Sequence, residues 1–116
     1  MSIPNARLAA AEEKFTRLDL AHRDIALDAT NAGTRWKQDP TEEHRLAFVA
    51  ALDVAVGSIR NVIDALHDYR AVAADAVPGS TYDAIGAMLP ELDRGHVDMV
   101  ALRKYVSDPS AVPTPS

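Results

Sequence analysis

An unbroken run of residues at steps of three and four extends through the first third of the chain and is almost entirely apolar. Side chains at this spacing lie along one side of an α-helix. The run consists of Leu8, Ala11, Phe15, Leu18, His22, Ile25, Ala29, Ala32 and Trp36. The same spacing returns in Val49, Leu52, Val56, Ile59, Ile63 and Leu66, and again in Tyr82, Ile85, Leu89, Leu92, His96 and Met99. The sequence therefore predicts three amphipathic helices that pack against one another.

The composition of the 116-residue chain suits one helical domain: 47% of the residues are hydrophobic but only 5% are aromatic. This balance favours close helix contacts over a sheet. Short connections at 32–39 and 76–80 require consecutive helices to lie antiparallel. We therefore expect an all-α fold, an antiparallel up-down-up three-helix bundle with a long central helix, in residues 1–108. Residues 109–116, rich in Pro and Ser, are expected to form a disordered tail.

Capping residues predict the ends of the first two helices. Asn5 is a candidate N-cap for the first helix, which we expect to end between residues 31 and 37, near Gly33. Asp39, followed by Pro40 and by Glu42, has the pattern of a capping box. This pattern predicts that the central helix begins there.

A proline interrupts the third predicted helix, which should begin near Ser80 and end near Val106. The ring of Pro90 would clash with the carbonyl group of residue 86 and would leave that carbonyl without a donor. Residue 86 is glycine, whose backbone can adjust, so we predict a kink and not a break.

The charge pattern argues against several partners and locations. The chain has 12 basic and 17 acidic residues, a net charge of −5, and its basic residues are scattered, so direct nucleic-acid binding is not expected. The first residues lack a signal-peptide pattern, and 18 apolar residues never occur in a row, so we expect no membrane span and a cytoplasmic protein. No cysteine is present, which removes disulfides and thiolate metal ligands.

Some apolar residues exceed the needs of a monomeric bundle. Leu20 and Leu27 lie seven residues apart on the side of the first helix opposite its apolar face. The outer face of the central helix is smooth and carries Ala47, Ala50, Ala51, Val54, Gly57 and Ser58. We predict an interface at Leu20, Leu27, Ala47, Ala50, Val54 and Gly57, formed with a second copy as a homodimer or with a partner's helix. Scattered exposed apolar residues are also normal in monomers, and this alternative stays open.

Three histidines follow an aspartate by three positions, a spacing that places both side chains on one helix face. The pairs are Asp19/His22, Asp64/His67 and Asp93/His96. His22 and His96 belong to the apolar faces and should point inward, near the levels of Ala55 and Ile59 in the central helix. The Asp64/His67 pair is expected to be a solvated surface pair.

The inward pairs permit three interpretations. Their acid-x-x-His spacing resembles the Glu-x-x-His motif of ferritin-like di-metal proteins, which predicts a metal site at Asp19, His22, Asp93 and His96. Those proteins use glutamates on four helices, so here a comparable site would require dimerisation. The histidines are otherwise a hydrogen-bonded core pair or a pH-sensitive element.

No catalytic motif is present in the sequence, and no cofactor is expected. We therefore predict a non-enzymatic helical interaction or assembly module that acts through protein–protein contacts. Arg outnumbers Lys nine to three, a bias typical of a high-GC bacterium or its phage, so an accessory protein that binds a host factor fits the pattern. The alternative is a metal- or ligand-binding bundle that uses the Asp-x-x-His pairs, and a third hypothesis is an acidic decoy for a DNA-binding protein.

Overall fold

Three helices make up the part of the chain that the structure describes, residues 3–76 and 79–108. In this computed structural model, α1 spans Ile3–Gln38, α2 spans Glu42–Ala76 and α3 spans Ser80–Ser107. Those residues contain no strand, and the predicted all-α three-helix bundle is confirmed. The tail predicted at 109–116 lies outside the described residues.

In the contacts between neighbouring helices, the residue numbers rise along one helix and fall along the other. In order along α1, its pairs with α2 are Glu12 with Tyr69, His22 with Ser58 and Trp36 with Phe48. In order along α2, its pairs with α3 are Arg45 with Val106, Asp53 with Arg103 and Arg70 with Tyr82. Antiparallel helices give this order of contacts.

The central helix α2 holds the molecule together, because the backbones of α1 and α3 do not come close to each other. Within the described residues, no Cα atom of α1 lies within 8 Å of a Cα atom of α3. The Cα atoms extend over 59 × 27 × 16 Å. A closed bundle with helix axes 8–10 Å apart would be roughly 14 Å across in both short directions. The greater width shows that α1 and α3 are spread apart around α2.

The core is divided into two apolar clusters along α2. The first contains Ala29, Ala32, Phe48, Leu52, Ala55 and Val106, and the second contains Leu66, Ala73, Ile85 and Leu89. Every residue of the three predicted apolar faces is buried or half-buried. The helical spacing in the sequence therefore identified the packed side of each helix.

The start of α2 differs from the prediction. The Thr41 hydroxyl accepts a hydrogen bond from the His44 N–H at 3.2 Å, and the Thr41 carbonyl accepts one from the Arg45 N–H at 3.0 Å. Thr41 is therefore the N-cap, and the prediction that Asp39 caps this helix was wrong. The Asp39 carbonyl instead accepts hydrogen bonds from the Thr41 N–H and from His44 Nδ1.

The bounds of α1 also differ from the prediction. The helix begins at Ile3, which places Asn5 inside it and not at its cap, and it continues to Gln38. A Cβ atom at Gly33 would lie 2.8 Å from Cζ of Phe48. Gly33 thus allows the Phe48 ring to pack closely against α1 and does not end the helix.

The third helix runs through Pro90 from Ser80 to Ser107 without a break. It begins after Gly79, whose φ of 109° lies in the left-handed region that favours glycine. Its end agrees with the prediction to within one residue. The kink at Pro90 stays a prediction.

By length and composition alone, α2 is apolar enough to cross a membrane, over the segment Glu42–Asp75. The sequence has no uninterrupted run of 18 apolar residues, because α2 carries isolated charges such as Asp53 and Arg60. The core helix of a bundle passes the same test of length and composition. The absence of a membrane span stays a prediction.

Candidate functional site

A groove of about 570 Å³ separates α1 from α3, with α2 as its floor. We call it the α1–α3 groove. Its lining residues are Ala26, Ala29, Thr30, Gly33, Thr34, Trp36, Lys37, Phe48, Leu52, Ala55, Gly95, Asp98, Met99, Leu102 and Tyr105. Most of these side chains are apolar, so the groove offers a surface for another apolar group.

The residues of the two walls explain why the groove stays open. Small residues face it from α1, among them Ala26, Ala29 and Gly33. The α3 wall carries larger side chains that are partly exposed to solvent, with Leu102 exposed by 43% and Tyr105 by 41%. The small α1 residues therefore leave space between the two walls.

Two arginines hold the C-terminal half of α3, which carries this wall. Arg45 at the start of α2 donates hydrogen bonds to the carbonyl groups of Val106 at 2.8 Å and Ser107 at 2.9 Å. Arg103 of α3 forms an ion pair with Asp53 of α2. These contacts join the last turns of α3 to the first turns of α2 and keep that wall in place.

Leu20 and Leu27 are both strongly exposed, by 55% and 58%. Thr30 and Thr34, which line the groove, follow Leu27 by three and by seven positions, respectively. Residues at these spacings lie close together on a helix, so Leu27 is at the outer rim of the α1 wall. Leu20 is one heptad further toward the N-terminus. We call these two residues the α1 ridge, and their part in an interface stays a prediction.

The outer face of α2 lies on the other side of the molecule. Ala47, Ala50, Val54 and Gly57 are exposed there, Val54 by 57%. Val54 is about 200° around the helix from Leu52 of the groove floor. The predicted interface residues therefore belong to two separate surfaces.

Two residues assigned to the outer face of α2 do not belong to it. Ala51 packs against the first core cluster, and Ser58 contacts His22 of α1. Both are half-buried. The sequence assignment was wrong because the side of α2 that contacts α1 extends further around the helix than its apolar spacing indicates.

His22 lies in the interface between α1 and α2. Its Nδ1 atom is 3.1 Å from the Ser58 hydroxyl oxygen, within hydrogen-bond distance and one turn from the predicted level of Ala55. Burial lowers the pKa of His22 from its ordinary value of 6.5, while the Asp19 carboxylate acts to raise it. Asp19 itself pairs with Arg23 at 3.1 Å.

His96 lies on α3, which packs against α2 and not against α1. Its Nε2 atom is buried and has no hydrogen-bond partner among the described residues. Asp93 is exposed. His22 and His96 therefore belong to different helix interfaces.

The predicted metal ligands are not brought together. In the described ranges, no group of three or more His, Cys, Asp or Glu side chains is placed to hold a metal ion. The prediction assumed that the first and third helices meet across a common core. The spread of these helices around α2 prevents Asp19 and His22 from reaching Asp93 and His96.

The groove itself was not predicted from the sequence. The available signal was the broad apolar face of α2, where Phe48, Val62 and Tyr69 flank the main stripe. A face of this breadth suits one core shared by three helices. It equally suits a floor with a helix at each edge.

Comparisons of the chain with models of protein families, with curated proteins and with solved structures gave no match. The α1–α3 groove, the α1 ridge and the chemistry of their residues are therefore the basis for a functional proposal.

Proposed function

We propose that this chain is a non-enzymatic helical interaction module whose α1–α3 groove takes up an apolar helix of a protein partner. The observation that supports this proposal is the open arrangement of two outer helices around a central one. A fourth helix in the groove would contact both walls and produce the cross-section of a four-helix bundle. The partner is either another copy of the chain or a different protein.

The chemistry of the groove favours binding over catalysis. Its charged lining residues, Lys37 and Asp98, lie on opposite walls, and Thr30 and Thr34 are its hydroxyl-bearing side chains apart from Tyr105. Histidine, serine and cysteine are absent from the described lining. General acid–base or nucleophilic catalysis uses such groups in contact with one another.

The composition supports the biological setting that we propose, a cytoplasmic accessory protein of a high-GC bacterium or of its phage. Arg is preferred to Lys by nine to three, and the net charge of −5 is typical of a protein without nucleic-acid contacts. A host protein with an exposed amphipathic helix would suit the groove.

Site-specific photo-crosslinking in living cells tests the proposed function. A photoreactive amino acid replaces Thr30 in the groove or, as the matched control, Asn61, which is exposed on α2 between the buried Ile59 and Val62. We expect a discrete protein adduct at position 30 and none at position 61, whether the captured protein is this chain or another. Equal labelling at both positions, or none at position 30, would contradict a role for the groove.

A further inference from the structure

We infer that the α1–α3 groove binds a helix of a different protein that runs antiparallel to α1 and α3. This helix has an acidic residue near its N-terminal end, a basic residue about ten positions later and a bulky apolar side chain between them. The inference rests on the proposed function, because it names the partner of the same groove. The charges of the groove, the direction of its walls and the size of its side chains support it.

The two walls of the groove carry charged side chains that are available to a partner. Lys37 lies on α1, Asp98 lies on α3, and both are exposed. Among the described residues, neither side chain forms an ion pair. A partner with an acidic side chain beside the lysine and a basic one beside the aspartate would be complementary to both walls.

These two charges lie at opposite ends of the groove. Trp36, which precedes the lysine, packs against Phe48 of α2. Gly95, one turn before the aspartate, faces Ile59 of α2, since a Cβ atom at Gly95 would lie 3.4 Å from Ile59 Cδ1. The lysine is therefore level with about residue 47 of α2 and the aspartate with about residue 56, roughly 13 Å apart along the axis.

This separation sets the spacing of the charges on the partner. Ten residues of a helix span roughly 15 Å and turn about 80° around its axis. Two side chains at that spacing therefore lie on the two flanks of one apolar face. One flank would face α1 and the other α3, so each charge reaches its own wall.

The helix dipoles select the direction of the partner. Since α1 and α3 both run antiparallel to α2, their C-terminal ends lie together at the Lys37 end of the groove. The N-terminus of an antiparallel partner would meet these negative ends. Its acidic residue would then lie in its own first turns and its basic residue near its C-terminus, an order that also stabilises the partner helix itself. A parallel partner would need the reverse order.

The size of the lining side chains places the bulky residue of the partner. Small residues surround the groove near Asp98, namely Ala26, Ala29, Ala55 and Gly95. Aromatic residues line the other end, namely Trp36, Phe48 and Tyr105. A bulky apolar side chain therefore fits two turns after the acidic residue of the partner, and a small one fits a single turn after it.

The arrangement of the helices argues against a second copy as the partner. Copies of one chain that insert a helix into each other usually do so around a two-fold axis. If α1 of a second copy lay in the groove beside α1, that axis would carry its α2 onto α3. If α3 of a second copy lay there, its α2 would fall onto α1. Neither outer helix of another copy can therefore fill the groove symmetrically.

Two synthetic peptides of identical composition test the charges. In the forward peptide, an alanine-rich helix without tryptophan, a glutamate is followed by leucine seven positions later and by lysine ten positions later. The reversed peptide has the glutamate and the lysine exchanged. By fluorescence anisotropy, we expect the protein to bind the forward peptide roughly tenfold more tightly, because two attractive pairs replace two repulsive ones.

The matched protein variant exchanges the charges of the groove. Lys37→Glu combined with Asp98→Lys should prefer the reversed peptide by a similar factor, and both sites are exposed, so unchanged circular dichroism shows that folding is intact. Equal binding of the two peptides to the wild type, tighter binding of the reversed peptide, or no binding of either would overturn the inference.

A nitroxide spin label on the forward peptide tests the direction. At the peptide N-terminus, the label should broaden the amide NMR signal of Lys37 more than those of Ala26 and Asp98, because it lies at the lysine end of the groove. At the peptide C-terminus, it should broaden the signals of Ala26 and Asp98 more. The opposite pattern, or equal broadening from both labels, would overturn the antiparallel direction.

Leucine substitutions test the fit of the bulky side chain. Ala26→Leu should weaken binding of the forward peptide at least fivefold, because the new side chain fills the space near Ala29 and Ala55. Ala50→Leu, on the exposed outer face of α2, is the matched control and should bind as the wild type does. Equal affinity of the Ala26→Leu variant and the wild type would overturn the position of the bulky residue.

Mass spectrometry of the adduct formed at position 30 in cells separates this inference from the proposed function. We expect the cross-linked segment to be a helix of another protein with an acidic residue followed by a basic one about ten positions later. A segment without this order, or one from the chain itself, would overturn the inference and leave the proposed function supported. The absence of any adduct would overturn both.

Discussion

Gly33 and Gly57 both lie inside helices, but their surroundings differ. A Cβ atom at Gly33 would lie 2.8 Å from Cζ of the Phe48 ring, whereas a Cβ atom at Gly57 would have nothing within 4 Å. Phe48 is itself held by the Trp36 ring, at a centroid distance of 6.0 Å. Gly33 is therefore required by packing and Gly57 is not.

Alanine substitutions at these glycines should differ in their effect on stability. We expect Gly57→Ala to raise the free energy of unfolding by about 0.5–1 kcal/mol, because alanine restricts the unfolded chain more than glycine does. Gly33→Ala should lose this gain to overpacking against Phe48, a cost of about 1–3 kcal/mol. Urea unfolding measures both variants. Equal stabilisation by the two would show that the Phe48 ring moves freely.

His22 should make the stability of the fold depend on pH. Burial lowers its pKa, so the unfolded chain takes up the proton first when the pH falls through about 6.5, and the folded state loses stability. His22→Asn should remove this loss, which is less than ~1 kcal/mol because the side chain is only half-buried. Urea unfolding between pH 8 and pH 5 tests this, with the exposed His67→Asn as the control. An identical pH dependence in wild type and His22→Asn would contradict it.

At the scale of elements, α3 depends on an arginine from another helix. Arg45 donates to the carbonyl groups of Val106 and Ser107, which have no partners within α3 at its C-terminal end. A cation at this position also interacts favourably with the helix dipole. The first turn of α2 thus completes the last turn of α3.

Removal of this side chain should loosen only the end of α3. In Arg45→Ala we expect faster hydrogen exchange at the amides of residues 103–107 and little change around Leu89, in the second core cluster. Arg60→Ala, at an exposed arginine of the same helix, is the matched control. Exchange that rises uniformly along α3, or not at all, would argue against this local role.

The sequence predicts the elements of this fold better than their arrangement. Apolar spacing identifies the packed side of each helix, because a helix that buries one face must repeat its apolar residues every three or four positions. The sequence does not identify the N-cap of α2, since Asp39 and Thr41 both have suitable side chains. The path of the connection between α1 and α2 selects Thr41. Spacing along one helix contains no information on the angle between two neighbours of that helix, so neither the groove nor the separation of His22 from His96 was predicted.

At the scale of the whole molecule, Trp36 reports on the groove. It is the only tryptophan, it lines the groove and it is half-buried. A helix in the groove should exclude water from the indole ring, so we expect its fluorescence emission to move to shorter wavelengths when the protein captured at position 30 is added, or when the concentration rises if that protein is a second copy. Emission that is the same in the free and the bound protein would contradict occupation of the groove.

The separation of the α1 and α3 backbones also affects how the chain unfolds. Each outer helix is attached along one side only, so either can detach while the other remains on α2. We then expect the chain to unfold helix by helix, as a short linear repeat array does, and not in one cooperative step. A partner helix in the α1–α3 groove would contact α3 and α1 together. Its binding would thus convert two separately detachable helices into one cooperative assembly.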